Sequence, residues 1–269
     1  MSCPRSRATI AKAALAAALS LALPPLAARA HATPSTTVWA PATPALQGFG
    51  VLHLSYDTYF GTAGLYPVDL GLTMGILPWR ELQLEVGVDV LYPTPDGEDG
   101  LSIPIYLNGK IGTPEDTFFA GQPGWSAGIY NAGFKSDVTD YDILYAMVGK
   151  TFGGAGTLSA GGYYGLNDNL LVDADGEGAQ AGFLGSYVSP AIDVPRIDKV
   201  VLAADVQTGK NALGAVGAGV SIYFTPAVAL LTGPIFFLEP DLQPGQADWM
   251  WSAQLDVDLD FTSKTPETP

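Results

Sequence analysis

WMWSAQLDVDLDF, residues 249–261, is the stretch whose reading decides the fold. Trp249, Trp251, Leu255, Val257, Leu259 and Phe261 fall on one parity, and Ser252, Gln254, Asp256, Asp258 and Asp260 on the other. A repeat of two separates the faces of an extended strand, whereas a helix repeats every ~3.6 residues. One face of this strand is apolar and the other carries carboxylates.

The same alternation recurs upstream. In Val51–Phe60, Leu52, Leu54, Tyr56 and Phe60 oppose His53, Ser55 and Asp57. Val68–Leu77 and Leu82–Tyr92 repeat it, with Asp69, Glu85 and Asp89 on the polar faces. Comparable segments are expected at Leu101–Ile111, Phe118–Tyr130, Tyr141–Phe152, Thr157–Tyr164, Ala179–Val188, Val200–Gln207, Ala215–Phe224 and Val228–Leu238. That makes about twelve strands, near the ~9–11 residues that cross a bilayer when tilted.

Connections between these segments alternate in character. Pro78–Arg80, Gly112–Asp116, Gly153–Gly156 and Thr225–Ala227 are tight. Interleaved with them are longer polar stretches at Pro93–Gly100, Asn131–Asp140, Gly165–Gly178, Thr208–Leu213 and Glu239–Asp248. Short periplasmic turns alternating with long external loops are the wiring of an up-and-down outer-membrane barrel. Ser189–Asp198 is long where a short turn is expected. Aromatic residues bracket the strands, with Tyr59, Phe60 and Tyr66 at one level and Trp79 and Phe224 at the other. The fold expected is an all-β, transmembrane, antiparallel up-and-down β-barrel over residues 49–261.

The N-terminal segment reads as an export signal. Arg5, Arg7 and Lys12 precede the apolar run Ala13–Leu23, and small residues follow, with cleavage sites after Ala30 or Ala32. The apolar run is shorter than the roughly 20 residues of a membrane-spanning helix. The expected division is a signal peptide over 1–30, a Pro-rich arm over 31–48, the barrel, and a tail over 262–269. Cys3, the one cysteine, leaves with the signal, so no disulfide is expected. Four of the 12 Lys and Arg residues leave too, so 8 remain against 27 Asp and Glu, a formal charge of −19. So acidic a chain lacks the basic footprint that nucleic-acid binding needs.

At the last strand the chain resembles the Gram-negative outer-membrane β-barrel class, porin-like in its wiring. The run Leu255-x-Val257-x-Leu259-x-Phe261 looks like the assembly signal in which alternating apolar residues end in an aromatic, although here a tail follows it. The resemblance implies location in the cell outer membrane. It also implies insertion by the outer-membrane assembly machinery and contact with outer-membrane lipids and lipopolysaccharide. It matches no single characterised family and carries over no functional residue.

Chemistry is sparse. His53 and Ser55 lie two apart, a pairing that can activate a serine, but their parity turns them away from the lipid face. No catalytic residue, metal ligand set or cofactor is therefore expected, and the chain is expected not to be an enzyme. The stretch Asn167–Gly178 offers Asp168, Asp173, Asp175 and Glu177, which could approach Ca²⁺ but lack the spacing of a dedicated loop.

The polar parity is the main functional clue. It places Asp57, Asp69, Glu85, Asp89, Asp205, Asp256 and Asp258 in the lumen, with Lys110 and Lys150 as the few counter-charges. Rings of acidic side chains favour cations. The expected function is a passive channel or porin for small solutes, cation-preferring. A non-conducting barrel acting through its external loops is one alternative, and a lipid-modifying barrel hydrolase another. The Pro-rich stretch Thr33–Pro44 shows no strand pattern and is expected to be a periplasmic arm or a plug.

Overall fold

A computed structural model describes residues 36–61, 67–92 and 104–262. The signal segment, the start of the arm, loop residues 93–100, Tyr66 and all of the tail beyond Thr262 lie outside the described residues.

Alternating sequence becomes alternating face along twelve strands: β1 (Val51–Gly61), β2 (Val68–Gly75), β3 (Gln83–Tyr92), β4 (Ile105–Thr113), β5 (Gly124–Ala132), β6 (Ile143–Thr151), β7 (Thr157–Gly165), β8 (Ala181–Val188), β9 (Lys199–Gln207), β10 (Ala215–Thr225), β11 (Val228–Phe237) and β12 (Trp249–Asp260). Each pairs antiparallel with its neighbours in sequence, and β1 pairs with β12, from Val51 opposite Asp260 to Gly61 opposite Met250. The sheet is thus a closed barrel with no free edge. Closure is what hydrocarbon demands, because lipid cannot satisfy the backbone N–H and C=O groups of an open edge.

The exterior fits a bilayer. Leu54, Leu70, Val86, Leu107, Leu144, Val148, Leu158, Leu202 and Leu255 are all exposed, on the parity that points outward. An apolar surface this continuous would not stay in water. Exposed Trp79, Trp125, Phe152 and Phe224 lie towards the end where β1 begins and β12 finishes, and Phe60, Tyr92, Tyr164 and Trp251 towards the other. These form the two aromatic girdles of an outer-membrane barrel. Tyr59 is not among them, because it points inward and meets Trp39 edge-on, with ring centroids 6.0 Å apart.

Two connections depart from expectation. Strand β5 begins at Gly124 rather than Phe118, and residues 114–123 form a turn far longer than Gly112–Asp116. Asp116 Oδ1 accepts the Gly121 N–H, and Gln122 Oε1 accepts the Phe118 N–H, so the turn is closed by its own side chains. This leaves Phe118 and Phe119 exposed. The long stretch after β8 folds back on β9, where Ile192 and Val200 exchange backbone hydrogen bonds of 2.8 and 2.9 Å.

The lumen is occupied by the chain's own N-terminal arm. Val38, Ala40 and Ala42 are almost wholly buried. They pack in two groups, one with Tyr145, Met147, Tyr163 and Leu184 and the other with Ala215, Leu231, Ile235 and Phe237. The described part of the Pro-rich stretch, residues 36–44, therefore lies inside the barrel.

Inward-facing glycines make room for it. A Cβ on Gly149 would stand 2.8 Å from Pro44 Cγ, and one on Gly217 would stand 2.5 Å from Asp205 Oδ1 and 2.8 Å from Val38 Cβ. Gly217→Val should therefore loosen the arm. With Val38→Cys as reporter in a Cys3→Ser background, maleimide labelling should speed up by about tenfold, equivalent to ~1.4 kcal/mol of lost seating. Unchanged labelling in a folded barrel would mean that the arm is not seated against β10.

Candidate functional site

Asp205 on β9 organises the arm. Its Oδ2 accepts hydrogen bonds from the Thr37 hydroxyl at 2.5 Å and from the backbone N–H groups of Val38, Trp39 and Ala40 at 2.8, 2.7 and 3.0 Å. Convergent N–H dipoles of this kind form an anion-binding nest. Gln254 donates to the Val38 carbonyl at 2.7 Å, and the Trp39 indole donates to the Leu213 carbonyl at 2.9 Å. Nearer the barrel's turn end, Lys110 Nζ donates to the Ala45 carbonyl at 2.6 Å and Glu85 Oε2 accepts the Gln47 N–H at 2.7 Å. Lys110 and Glu85 are themselves an ion pair at 3.1 Å.

Beside the arm lies an internal cavity of about 340 Å³, lined from every strand but β7, with its carboxylates on β1–β3 and β12. Its lining runs from Val188 and Val201 near the turn end to Pro67 and Leu91 near the loop end. Strand register gathers the acidic groups here. Asp256 stands opposite Ser55, Ser55 opposite Gly71, and Gly71 opposite Asp89, in one row across four strands. In the next row Asp57 stands directly opposite Asp69. Gly71 is what allows this crowding, since a Cβ there would stand 3.0 Å from Asp89 Oδ1 and would collide with Ser55 Oγ. Asn108 donates to Asp89. Buried Oδ1 atoms of Asp57 and Asp69 have no hydrogen-bond partner.

His53 lies one row nearer the turn end, at the seam where the barrel closes. Its Nδ1 is 2.6 Å from Asp258 Oδ1 and its Nε2 is 3.3 Å from Asp256 Oδ1. Both contacts cross from β1 to β12. His53 is thus committed to a carboxylate on either side, and it faces the lumen, as Ser55 does, away from lipid.

The nine residues expected in the lumen divide accordingly. Asp57, Asp69, Glu85, Asp89, Asp256 and Lys110 line the cavity. Asp205 is buried under the arm, and Asp258 is buried against His53. Lys150 is a correction. It lies on the outward parity of β6 at the turn end, paired with Glu115 and Asp116 at 3.0 Å each, because strand β6 alternates from buried Ile143. Partial burial of Glu115 works to raise its carboxyl, but hydrogen bonds from Thr151 and Lys150 prevail and hold it below its ordinary range. Sequence reasoning missed Trp39, set Tyr59 in a girdle, and put Gln254 on the polar parity without giving it a partner. For Trp39 the one signal was a lone Trp in a Pro-rich stretch.

In the external loops, Asp137 Oδ1 accepts from Asn169 at 2.9 Å and from Asn167 at 3.3 Å, linking the β5–β6 and β7–β8 loops. Asp173 Oδ1 accepts the N–H groups of Asp175 and Glu177 at 3.0 Å each, so this carboxylate serves the turn. Among the described residues, no set of three His, Cys, Asp or Glu side chains could hold a metal ion.

No protein-family model and no curated protein matches the chain. Solved structures do. Outer membrane phospholipase A from Escherichia coli is similar at 15% identity and a TM-score of 0.46, covering 80% of this chain and 94% of its own. An outer membrane channel from Pseudomonas putida F1 is similar at 12% identity and a TM-score of 0.45, covering 84% and 99%. A mutant of Rh. blastica porin is similar at 8% identity and a TM-score of 0.37, covering 78% and 99%. Likenesses at this level speak to the fold alone. They still correct one expectation: because the barrels similar to this one include a phospholipase, it does not follow from the architecture that the chain is no enzyme.

His53→Ala should weaken the seam by about 3–5 kcal/mol, the cost of stripping one partner from a buried charged pair. A lower urea midpoint in heat-modifiable gel migration would register this, and an unchanged midpoint would remove His53 from the closure. The loop link has its own pH signature. Hydrogen bonds from Asn169 first, and then Asn167, hold the Asp137 carboxyl below its ordinary range. The link is therefore intact above the usual carboxylate pKa and is lost only as pH falls through the lowered value. A spin label at Ser136→Cys should gain mobility only in that acid range, whereas Asp137→Asn should be mobile at every pH.

Proposed function

We propose that the protein is an outer-membrane channel for small solutes, cation-preferring, whose lumen is held narrow by its own N-terminal arm. The observation that carries this reading is the cavity beside the arm, which draws lining residues from both ends of the barrel and is walled by Asp57, Asp69, Asp89 and Asp256. Acidic walls in a low-dielectric pore raise the local concentration of cations and exclude anions. The Glu85–Lys110 and His53–Asp256 pairs neutralise part of the wall, which leaves Asp57, Asp69 and Asp89 as its uncompensated stretch. Insertion by the outer-membrane assembly machinery and a lipopolysaccharide-facing outer surface belong to the same proposal.

The arm supports a second reading, a barrel that does not conduct and works through its external loops. Hydrogen bonds to a charged group contribute about 1.5–3 kcal/mol each, and Asp205 accepts four of them from the arm. Such a plug opens rarely.

Planar-bilayer conductance under a salt gradient separates the two readings. The mature protein should give brief, rare openings. Asp205→Ala, or deletion of residues 33–47, should give steady openings with a cation-selective reversal potential, and Asp89→Asn should weaken that selectivity. Silence from an arm-deleted barrel shown to be folded would overturn the channel and favour the loop-acting barrel.

A further inference from the structure

Asp57, Asp69 and Asp89 have an arrangement that bears on what occupies the cavity, given the channel reading on which this inference rests. The first two face each other across β1 and β2, and the third stands one row down on β3. Among the described residues, no cationic side chain forms an ion pair with any of the three. The buried Oδ1 atoms of Asp57 and Asp69 accept no hydrogen bond. Buried acceptors left empty cost roughly 1–3 kcal/mol each, so two of them on one cavity wall mark a place for a donor the protein does not itself supply.

What kind of donor follows from their spread. A divalent metal ion needs its oxygens gathered on one point at about 2–2.6 Å, and no three acidic or His side chains among the described residues gather so. These carboxylates are instead strung over two rows and three strands. Above them, Trp39 and Tyr59 present aromatic surface to the same cavity. Aromatic faces attract ammonium groups and accept methylene chains. At about 340 Å³ the space holds a small organic molecule.

We infer that the cavity binds an elongated organic cation carrying two or more amino groups, its nitrogens distributed over Asp57, Asp69 and Asp89 and its carbon chain laid along Trp39 and Tyr59. A single-point cation cannot reach all three carboxylates at once, so the site discriminates by the number and spacing of charges.

Isothermal titration of the full mature protein, refolded in zwitterionic detergent free of lipopolysaccharide, tests this with spermidine and 1,5-diaminopentane as probes. Butylamine and KCl or CaCl₂ at matched ionic strength serve as comparisons. Spermidine should bind saturably, at least about tenfold more tightly than butylamine. Asp57→Asn and Asp69→Asn, each shown to be folded by heat-modifiable migration, should each weaken spermidine by about tenfold, whereas Asp116→Asn in the β4–β5 turn should not. Equal affinity for butylamine, tight Ca²⁺ binding that displaces spermidine, or binding indifferent to both Asp57→Asn and Asp69→Asn would overturn the inference. Spermidine binding by a barrel that never conducts would leave the site standing and remove only the channel. Conductance without spermidine binding would do the reverse.

Discussion

A strand edge cannot face hydrocarbon, and everything else in this molecule follows from that constraint. Twelve strands satisfy it by pairing β1 with β12, so every backbone ladder is closed. Closure then creates an inside, and the alternation that clothes the outside in Leu, Val and aromatic residues drives Asp, Glu, Ser, Gln and Tyr inward. The seam is reinforced where it matters, by His53 set between Asp256 and Asp258 across the joining strands. Charge and closure are coupled at that point.

The inside is resolved unevenly. Against β6–β11 the arm makes an apolar core with Ile143, Met147, Leu184, Leu231 and Ile235. The carboxylates of the cavity stand on the other side, on β1–β3 and β12. Asp205 accounts for this asymmetry. It is a buried carboxylate satisfied by the arm's own N–H groups, and it pulls residues 37–40 to the β9 side. Gly149 and Gly217 clear the way by lacking a side chain where the arm passes. The acidic wall is what the arm does not cover.

Much of this was legible from residue order. Period-two patterning located the strands to within a few residues, because lipid on one side and polar lumen on the other impose opposite requirements on adjacent positions. It failed at Phe118–Tyr130, where aromatic residues in a side-chain-closed turn imitate a strand start. It also failed at Lys150, which stands next to the end of its strand on the outward parity and finds Glu115 and Asp116 in the neighbouring turn. Parity assigns a face but not a partner.

The sequence by itself determined the barrel, its approximate strand number, its acidic interior and the side of the wall on which Asp57, Asp69, Glu85 and Asp89 stand, since each of these is a local property of alternation. Tertiary structure alone decided that Asp205 holds the arm, that Asp258 serves His53, and that Asp57 meets Asp69 while Asp89 lies over Gly71. Those contacts join residues far apart in the chain. They depend on register between strands and on the path of an arm with no periodicity to read, and neither is written into any single segment.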